Sequence, residues 1–350
     1  MKPENAAPAA SIVVLNHNGV EWLERCFASL RRQTIFAQLE IIMVDNASTD
    51  ASVATAHRLL ADFPMGWVLE NKENLGFCEG NNVGARAARG QYVFFLNNDT
   101  WLEPECMERL LAETARAGAH ASTPLVLDYD DDQFQNLGFL GFDIFGLPSP
   151  SAQCAETREI FIPCGCSYLI DREWFLKVGE FDALFFIYSD EVDLSWRVWI
   201  AGGHIVGVPS ARLHHRGAAG VNPKGGEKVV EVRTTDRKRF LANRNSLLTL
   251  MKNGRLALLL FLPPQVFLVV LEALVSLMFI RRWSFFQKTC LDALTDCWRM
   301  RGHVRAERRR VASFRRRGDF WMLRFFRLPL NRWFEIQRLV RYGFPKVDGR

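Results

Sequence analysis

The chain has 350 residues, of which 49% are hydrophobic, enough for one domain of about 250 residues with an appendage or for two domains. The opening MKPENAAPAA has no apolar segment, so no cleaved signal peptide is expected, and eight cysteines without a CxxC pair predict reduced thiols in a cytosolic compartment. The net charge of +5 is uneven: residues 281–350 hold 19 Lys and Arg against 6 Asp and Glu, a charge of +13, which leaves −8 for residues 1–280 and favours a tail that contacts a membrane surface or a nucleic acid.

Strand and helix signals alternate through the first 120 residues. Apolar runs predict strands at 11–15, 39–44, 67–70 and 92–96, and helical periodicity predicts helices at 21–33, from about 50, at 81–88 and at 103–117. This order predicts right-handed βαβ units, and hence a mostly parallel sheet with helices on both faces. Later strands at 120–127, within 158–170 and at 204–208, with helices at 189–201 and 235–253, favour a mixed sheet that completes the domain.

Four of the predicted strands end in polar residues, the last of them at Asn97-Asn98-Asp99. Ligands of open α/β sheets bind at the carboxyl ends of the strands. At such an edge Asp45 can accept the imide N–H of uracil or thymine, while Asp99 can share Mg²⁺ or Mn²⁺ with diphosphate oxygens. The alternative is a turn in which Asp99 caps the helix that starts near Glu103. G-x-G-x-x-G and G-x-x-x-x-G-K-[ST] motifs are absent from the sequence, which disfavours Rossmann dehydrogenases and P-loop enzymes.

A second acidic group, YSDEVDLSWR, places Asp190, Glu191 and Asp193 at the start of a predicted helix. They either cap that helix, with Asp193 and Arg197 as an i, i+4 pair, or they include a partly buried general base. A third group, the pair at 214–215, is either surface histidines or the source of an imidazole that completes the metal site with Asp99.

These motifs together resemble family 2 glycosyltransferases of the GT-A fold, and most closely the bacterial rhamnosyltransferase-like branch. The motifs are SIVVLNHN, LEIIMVDNASTD, ENLGFCEGNNVGARAARGQYVFFLNNDT, PCGCSYLIDREWFLKVGEFDALFFIYSDEVDLSWRVWIAGG, HH and RN, and their order is preserved over about residues 10–253. The resemblance implies inverting transfer of a sugar from a nucleotide-sugar donor to an acceptor hydroxyl, with a divalent metal.

The resemblance also assigns roles to individual residues. It implies that Asp45 contacts the base and that Asp99 is the last position of the DXD motif, here Asn97-Asn98-Asp99. For the mechanism we infer that Asp99 and His214 hold the metal. The family's Glu-Asp pair is exchanged here to Asp190-Glu191, so either acid can be the base. The other nucleotide-sugar-binding candidates are Asn16, Asn74, Gly76, Asn81, Asn98, Gly165 and Arg244.

Several of these candidates have simpler interpretations. Asn74, Gly76, Asn81 and the neighbouring Asn82 fit a turn followed by a helix cap equally well. Arg244 is either a partner for a diphosphate or an ordinary arginine on a helix surface. Gly165 belongs to the PCGCSYL segment, which in the family lies near the acceptor.

The C-terminal third predicts contact with a membrane. Residues 256–280 are long enough to span a bilayer. A single crossing is disfavoured by Pro263-Pro264 and by Glu272, and it would place the basic tail outside the cell, against the positive-inside rule. We therefore expect a hairpin or interfacial helices. In 319–344, apolar Trp333, Ile336 and Val340 recur at helical spacing, while Arg332, Arg338 and Arg341 supply positive charge. This pattern is expected for a helix that lies on anionic lipid. The alternative is that these aromatic and apolar residues pack against the catalytic domain.

The sequence therefore predicts a disordered N-terminus at 1–10, a GT-A catalytic domain at 11–253, an apolar membrane-embedded or interfacial segment at 254–282 and a basic amphipathic helical tail at 283–350. The expected partners are a dTDP-, UDP- or GDP-linked donor, a saccharide or lipid-linked acceptor and an anionic membrane on its cytoplasmic face, with nucleic acid disfavoured. Three alternatives are a sugar nucleotidyltransferase, an inactive membrane-docked scaffold with the same fold, and binding of nucleic acid by the tail.

Overall fold

Four parallel strands form the centre of the computed structural model, which describes residues 7–217, 233–328 and 346–347. These strands are β1 (Ala10–Asn16), β2 (Leu39–Asp45), β3 (Gly66–Glu70) and β4 (Tyr92–Asn97), in the spatial order β3-β2-β1-β4. Their register aligns the carboxyl ends, with Asn16 opposite Asp45. The four predicted strands and their parallel pairing are confirmed.

The second half of the domain adds strands of mixed direction, most of which extend this sheet. They are β5 (Thr100–Leu102), β6 (Ala121–Asp128), β7 (Phe134–Asn136), β8 (Phe139–Phe142), β9 (Pro148–Pro150), β10 (Arg158–Glu159), β11 (Ser167–Asp171) and β12 (Ile205–His215). Strand β11 lies antiparallel between β4 and β6, and β12 runs parallel to β6, so the sheet is mixed here, as predicted. Strands β8 and β9 form a separate antiparallel pair.

Helices cover both faces of the sheet. They are α1 (Val20–Arg31), α2 (Ser52–Leu60), α3 (Gly76–Ala87), α4 (Cys106–Arg116), α5 (Arg172–Val178), α6 (Asp190–Ile200) and α7 (Asp236–Asn253). Alternate residues of a strand point to opposite faces, so Val13 and Ile42 enter one core while Ile12 and Ile41 enter the other. Burial on both faces explains why these strands are uninterrupted apolar runs.

Strand β12 is longer than predicted. The sequence predicts a strand at 204–208 followed by a loop, but the strand continues to His215. Its pairing with β6 shifts between Val208 and Arg212, which leaves Pro209 in an irregularity where no ladder N–H is required. The continuation carries both histidines into the sheet beside β5.

The C-terminal residues form further helices: α8 (Leu256–Leu259), α9 (Leu262–Ile280), α10 (Trp283–Phe286), α11 (Ala293–Arg299), α12 (Arg301–Phe314) and α13 (Asp319–Met322). Pro263 and Pro264 lie in the first turn of α9, where proline is tolerated, and the helix then runs unbroken to Ile280. The expected hairpin within 256–280 is therefore wrong, whereas a helix in the bilayer interface stays a prediction. Most of the amphipathic helix predicted at 319–344 lies outside the described residues.

A buried ionic cluster joins these helices to the α/β domain. Lys252 on α7 is fully buried and contacts the carboxylates of Asp182 and Asp193. Arg197 forms the predicted i, i+4 pair with Asp193 at 2.8 Å, and His303 of α12 lies 2.8 Å from Asp182. The basic C-terminal helices are therefore packed onto the acidic domain, at least as far as α12.

We expect Lys252→Met to lower the free energy of unfolding by about 3–5 kcal/mol, because it leaves two buried carboxylates without their shared cation. The measurement is urea unfolding followed by circular dichroism. Lys288→Met, at a side chain that is 47% exposed, is the matched control and should change stability by less than about 0.5 kcal/mol. Equal effects of the two substitutions would contradict this account of the cluster.

Candidate active site

Asp99 lies in the turn after β4 and faces an imidazole from β12. The register of β12 with β5 places His215 opposite Thr100, and its Nε2 lies 3.5 Å from Asp99 Oδ1. Gln135 Oε1 lies 2.9 Å from His215 Nδ1; because an amide oxygen only accepts, Nδ1 is the donor and Nε2 is left with a lone pair. Burial lowers the pKa of His215, which favours this neutral form. A carboxylate oxygen and an imidazole lone pair thus face each other, as the ligands of a divalent ion do.

His214, the predicted partner of Asp99, points to the other face of the strand. Its ring stacks on Trp101 with 3.6 Å between centroids, and its Nδ1 donates to the carbonyl oxygen of Asp128 at 2.8 Å. The structure therefore places His215, not His214, beside Asp99. Adjacent residues of a strand point to opposite faces, so only one of the two histidines can face Asp99, and a predicted loop gives no basis for choosing between them.

His214 has acidic neighbours of its own. Its Nε2 forms no hydrogen bond to the described residues, and one ligand atom each of Glu103, Asp132 and His214 lies within 4.8 Å of the others. Arg212, however, lies 3.3 Å from the Glu103 oxygen that faces His214. Because this carboxylate already has a cationic partner, the Asp99–His215 pair is the better metal site.

The alternative role for Asp99, as a cap of the following helix, is wrong. Helix α4 begins at Cys106 with Glu105 as its N-cap residue, and the first-turn N–H of Met107 donates to Gln33 Oε1 at 3.0 Å, so Asp99 does not cap this helix. Asp99 is instead held by its backbone, whose carbonyl accepts from the N–H of Arg216 at 3.0 Å. Its carboxylate is thus available for the site at the sheet edge.

Asp45, Asn16 and Asn98 form one hydrogen-bonded network across the ends of three strands. Asp45 accepts from the N–H of Ser48 at 2.8 Å, from its hydroxyl at 2.6 Å and from Asn16 Nδ2 at 3.2 Å. Asn16 Oδ1 in turn accepts from Asn98 Nδ2 at 2.6 Å. The network makes the edge rigid, and the contact between Asp45 and a nucleotide base stays a prediction.

The segment around Gly76 has the predicted turn and helix start. Asn74 Oδ1 accepts from the N–H of Gly76 at 2.9 Å, and Asn81 Nδ2 donates to the carbonyl of Phe77 in its own helix. Gly76 has a φ of +80°, and a Cβ there would lie 2.6 Å from the ring of Phe186. Glycine is therefore required for two reasons: the positive φ and the close approach of Phe186. Contact of this loop with a donor stays a prediction.

Residues 185–189, which lead into α6, adopt an unusual backbone conformation. Phe186, Tyr188 and Ser189 all have positive φ angles, which cost energy in residues other than glycine. Asn245 stabilises this conformation, because its Nδ2 lies within 3.0 Å of the carbonyl oxygens of Phe185, Ile187 and Tyr188. The sequence analysis noted Asn245 only as part of a motif and did not predict this role.

Arg244 is structural as well. Its guanidinium donates to the carbonyl of Leu184 at 2.7 Å and to Asp296 Oδ2 at 3.0 Å, and the residue is buried. It is therefore neither a surface arginine nor placed to bind a diphosphate. Its charge is already used to hold the loop before α6 and to join α7 to α11.

Asp190 and Glu191 occupy the first turn of α6, where the positive end of the helix dipole stabilises carboxylates. Burial opposes this effect and raises the pKa of Glu191; burial and the neighbouring charge of Glu191 raise the pKa of Asp190 well above its usual range. Asp190 is 4% exposed, whereas Glu191 is half-buried and borders a cavity. Glu191 is thus the acid of the pair that a substrate can reach.

Gly165 lies between this acid and the end of β4. A Cβ on Gly165 would lie 3.6 Å from the carboxyl carbon of Glu191, and the carbonyl of the next residue, Cys166, accepts from the N–H of Asn97 at 3.0 Å. The turn at 164–166 therefore lies close to Glu191 on one side and is bonded to Asn97, at the end of β4, on the other. An accessible carboxylate with a raised pKa and a metal-ligand pair thus border the same end of the sheet, as a group transfer with base and metal requires.

Two solved structures share this fold. The structure of GalNAc-T7 with UDP, GalNAc and Mn²⁺ matches with a TM-score of 0.59 and 18% identity, covering 77% of this chain and 51% of that one. A mannosyltransferase from Pyrobaculum calidifontis, in complex with GDP-Man and Mn²⁺, matches with a TM-score of 0.52 and 16% identity, covering 84% and 88%. The fold is therefore the GT-A glycosyltransferase fold, as predicted.

The sequence also resembles a known family. Residues 11–179, slightly less than half of the chain, match the family described as glycosyl transferase family 2, so this segment is similar to the members of that family. A similar curated protein is polypeptide N-acetylgalactosaminyltransferase 8 of Drosophila melanogaster, 26% identical over 232 residues, which are 61% of this chain and 39% of the relative. The chain thus spans about two fifths of the length of such relatives.

Proposed function

We propose that the protein is an inverting glycosyltransferase that moves a sugar from a nucleoside-diphosphate donor to a hydroxyl group of a saccharide or lipid-linked acceptor. The observation that carries the proposal is the turn at 164–166, which lies close to Glu191 on one side and is bonded to the strand end before Asp99 on the other. Such a site has both parts that a single displacement needs: a base for the incoming hydroxyl and a cation site for the leaving diphosphate.

In this mechanism the Glu191 carboxylate accepts the proton of the acceptor hydroxyl as its oxygen attacks the anomeric carbon from the side opposite the diphosphate. Burial raises the pKa of both acids, and Glu191 is the one that borders the cavity, so we assign the base to Glu191. Asp99 and His215 would hold Mg²⁺ or Mn²⁺, which supplies Lewis-acid stabilisation of the diphosphate charge. The network of Asp45, Asn16 and Asn98 would position the nucleotide.

The donor is proposed only as a class. The relatives are named as N-acetylgalactosaminyltransferases, and the two similar structures contain UDP with GalNAc and GDP-Man. The resemblance to rhamnosyltransferases adds dTDP-rhamnose and a role in cell-surface polysaccharide synthesis. A comparison of UDP-, GDP- and dTDP-sugars is therefore the first substrate experiment.

We expect Glu191→Gln to lower the rate of transfer by about 10²–10⁴-fold, because the amide cannot accept the hydroxyl proton. The measurement is release of nucleoside diphosphate in the presence of membranes, with Asp190→Asn as the control that keeps Glu191. The wild-type rate should rise with pH through a value above the ordinary range of glutamate, because burial raises the pKa of this base and only its ionised form accepts a proton. A greater loss in Asp190→Asn would move the base to Asp190, and no release from any donor, together with no donor binding, would favour an inactive scaffold.

We expect His215→Ala to weaken the binding of Mn²⁺ in the presence of nucleoside diphosphate by about 10-fold or more, because it removes one of the two protein ligands. His214→Ala is the matched control: it removes the adjacent imidazole, which packs on Trp101. Titration of bound Mn²⁺ by electron paramagnetic resonance measures the difference. A metal affinity that falls in His214→Ala but not in His215→Ala would restore the assignment made from sequence.

We further propose that the protein is peripheral or monotopic on the cytoplasmic face of the inner membrane. Residues 256–280 form one candidate membrane span by length and composition. An 18-residue window of this segment has a mean hydropathy of 2.3, and only 22% of that window is buried. Exposed Phe267 and Met278 on α9, together with the basic residues that follow, give an apolar surface next to positive charge. An interfacial helix on anionic lipid combines these two features.

We expect the purified protein to float with phosphatidylglycerol-containing vesicles and to bind less as the salt concentration rises, because part of the attraction is electrostatic. Phe267→Asp should weaken flotation, whereas Leu176→Asp, at an exposed leucine of α5, should not. Protein that stays unbound at both low and physiological salt would exclude the membrane proposal.

A further inference from the structure

His214 carries a buried ring nitrogen without a hydrogen-bond partner in the described part of the chain. The residue is 2% exposed, and the unpaired atom is Nε2. Its Nδ1 lies 2.8 Å from the carbonyl oxygen of Asp128, which can only accept, so Nδ1 carries a hydrogen and Nε2 of the neutral imidazole carries a lone pair. Metal-ligating histidines have this arrangement, in which one ring nitrogen donates to a carbonyl and the other faces the ion.

Two carboxylates face this lone pair. Nε2 of His214 lies 3.6 Å from Glu103 Oε1 and 3.9 Å from Asp132 Oδ1, distances that are too long for hydrogen bonds. One ligand atom from each of the three residues lies within 4.8 Å of the others. The ligand atoms of a tetrahedral zinc ion, with bonds of about 2.0–2.2 Å, lie roughly 3.4 Å apart. An ion therefore fits after a small movement of the carboxylates, and Asp132, whose side chain is 77% exposed, is free to make it.

The imidazole is held in place by the strands around it. Its ring stacks on Trp101 with 3.6 Å between centroids and 4° between planes, and the register of β12 with β5 places the two residues opposite each other. Glu103 follows directly after β5, whereas Asp132 lies in the connection between β6 and β7. The three candidate ligands thus come from three separate segments, and an ion between them would join the connection at 129–133 to β5 and β12.

Arg212 competes with an ion for one of the carboxylates. Its Nη1 lies 3.3 Å from Glu103 Oε1, and the two side chains are 37% and 32% exposed. An ion pair with this exposure contributes little to stability, so a divalent ion can displace the guanidinium. Arg212 therefore lowers the affinity of the cluster for a cation, and its removal should raise that affinity.

We propose that Glu103, Asp132 and His214 form a second metal site, which binds Zn²⁺ or a similar transition-metal ion. An imidazole with two carboxylates suits Zn²⁺, whereas Mg²⁺ prefers ligands that are all oxygen. Because successive residues of a strand point to opposite faces, this site and His215 lie on opposite faces of β12. The connection that the ion holds leads to Gln135, whose amide oxygen accepts from His215 Nδ1 at 2.9 Å. The proposal does not depend on glycosyl transfer.

The test is titration of the full-length protein with Zn²⁺ in the presence of excess Mg²⁺ and without nucleotide, with a competing fluorescent zinc chelator as the indicator. We expect one Zn²⁺ to bind, and His214→Ala and Asp132→Asn each to weaken its binding by about tenfold or more, because each removes a ligand or its charge. Asp132→Asn changes a side chain that is 77% exposed, so this variant should remain folded. Arg212→Gln should tighten binding by about threefold, because it leaves Glu103 to the ion.

Three matched variants serve as controls and should leave the affinity for Zn²⁺ unchanged. His215→Ala removes the adjacent imidazole, which lies on the other face of the strand. Asp131→Asn changes the neighbouring acid, whose carboxylate accepts from the N–H of Gln133 at 2.8 Å. Cys154→Ser removes the cysteine that is more exposed than the other seven.

Absence of Zn²⁺ binding, equal losses in His214→Ala and His215→Ala, or weaker binding in Arg212→Gln would overturn the proposal. A loss of affinity confined to Cys154→Ser would assign the ion to a thiol and would overturn it as well. Weaker binding in both Asp132→Asn and His214→Ala, with tighter binding in Arg212→Gln, is the pattern that the geometry of this cluster requires.

Discussion

The hydrogen bonds from Asn245 to the loop before α6 fix the part of the candidate site that carries Glu191. Without them, three non-glycine residues would have to keep positive φ angles with fewer hydrogen bonds to stabilise them. The same loop is bonded to α3, because the carbonyl of Phe186 accepts from the N–H groups of Phe77 and Cys78. One side chain on α7 thus fixes both the helix that carries Glu191 and the helix that follows the predicted donor loop.

The position of Glu191 is a compromise between opposing electrostatic effects. The start of α6 and the backbone N–H groups there favour an ionised carboxylate, whereas burial disfavours it. The outcome is a raised pKa, which suits a proton acceptor better than an ordinary exposed glutamate does. Asp193, three residues after Asp190, has the opposite outcome because Arg197 and Lys252 contact it, and its pKa is lowered despite full burial. Local partners, rather than position on the helix, therefore decide whether the pKa of a buried acid is raised or lowered.

The fold could be predicted from the sequence because the strands are buried on both faces and read as apolar runs. The boundaries of β1 to β4 were predicted to within about one residue for this reason. The side-chain geometry of the site could not be predicted equally well. The choice between His214 and His215 depends on whether β12 continues past Pro209, and that depends on pairing with β6, which is distant in sequence. The burial of Arg244 depends likewise on helices from the last third of the chain, whose packing local periodicity does not reveal.

The sequence suggested a single role for the basic C-terminal helices, contact with a membrane, but these helices also pack against α7. Their basic charge indicated a surface for anionic lipid, but part of it is directed inwards: His303 contacts Asp182, and Arg308 donates to the carbonyls of Met251 and Gly254 at the end of α7. These contacts hold α7 in place, and α7 carries Asn245. A change in the packing of α9 or α12 against α7 would thus reach the loop before Glu191 through one rigid helix. Because α9 also presents exposed apolar residues, the proposed membrane surface and the loop before Glu191 belong to one packed unit.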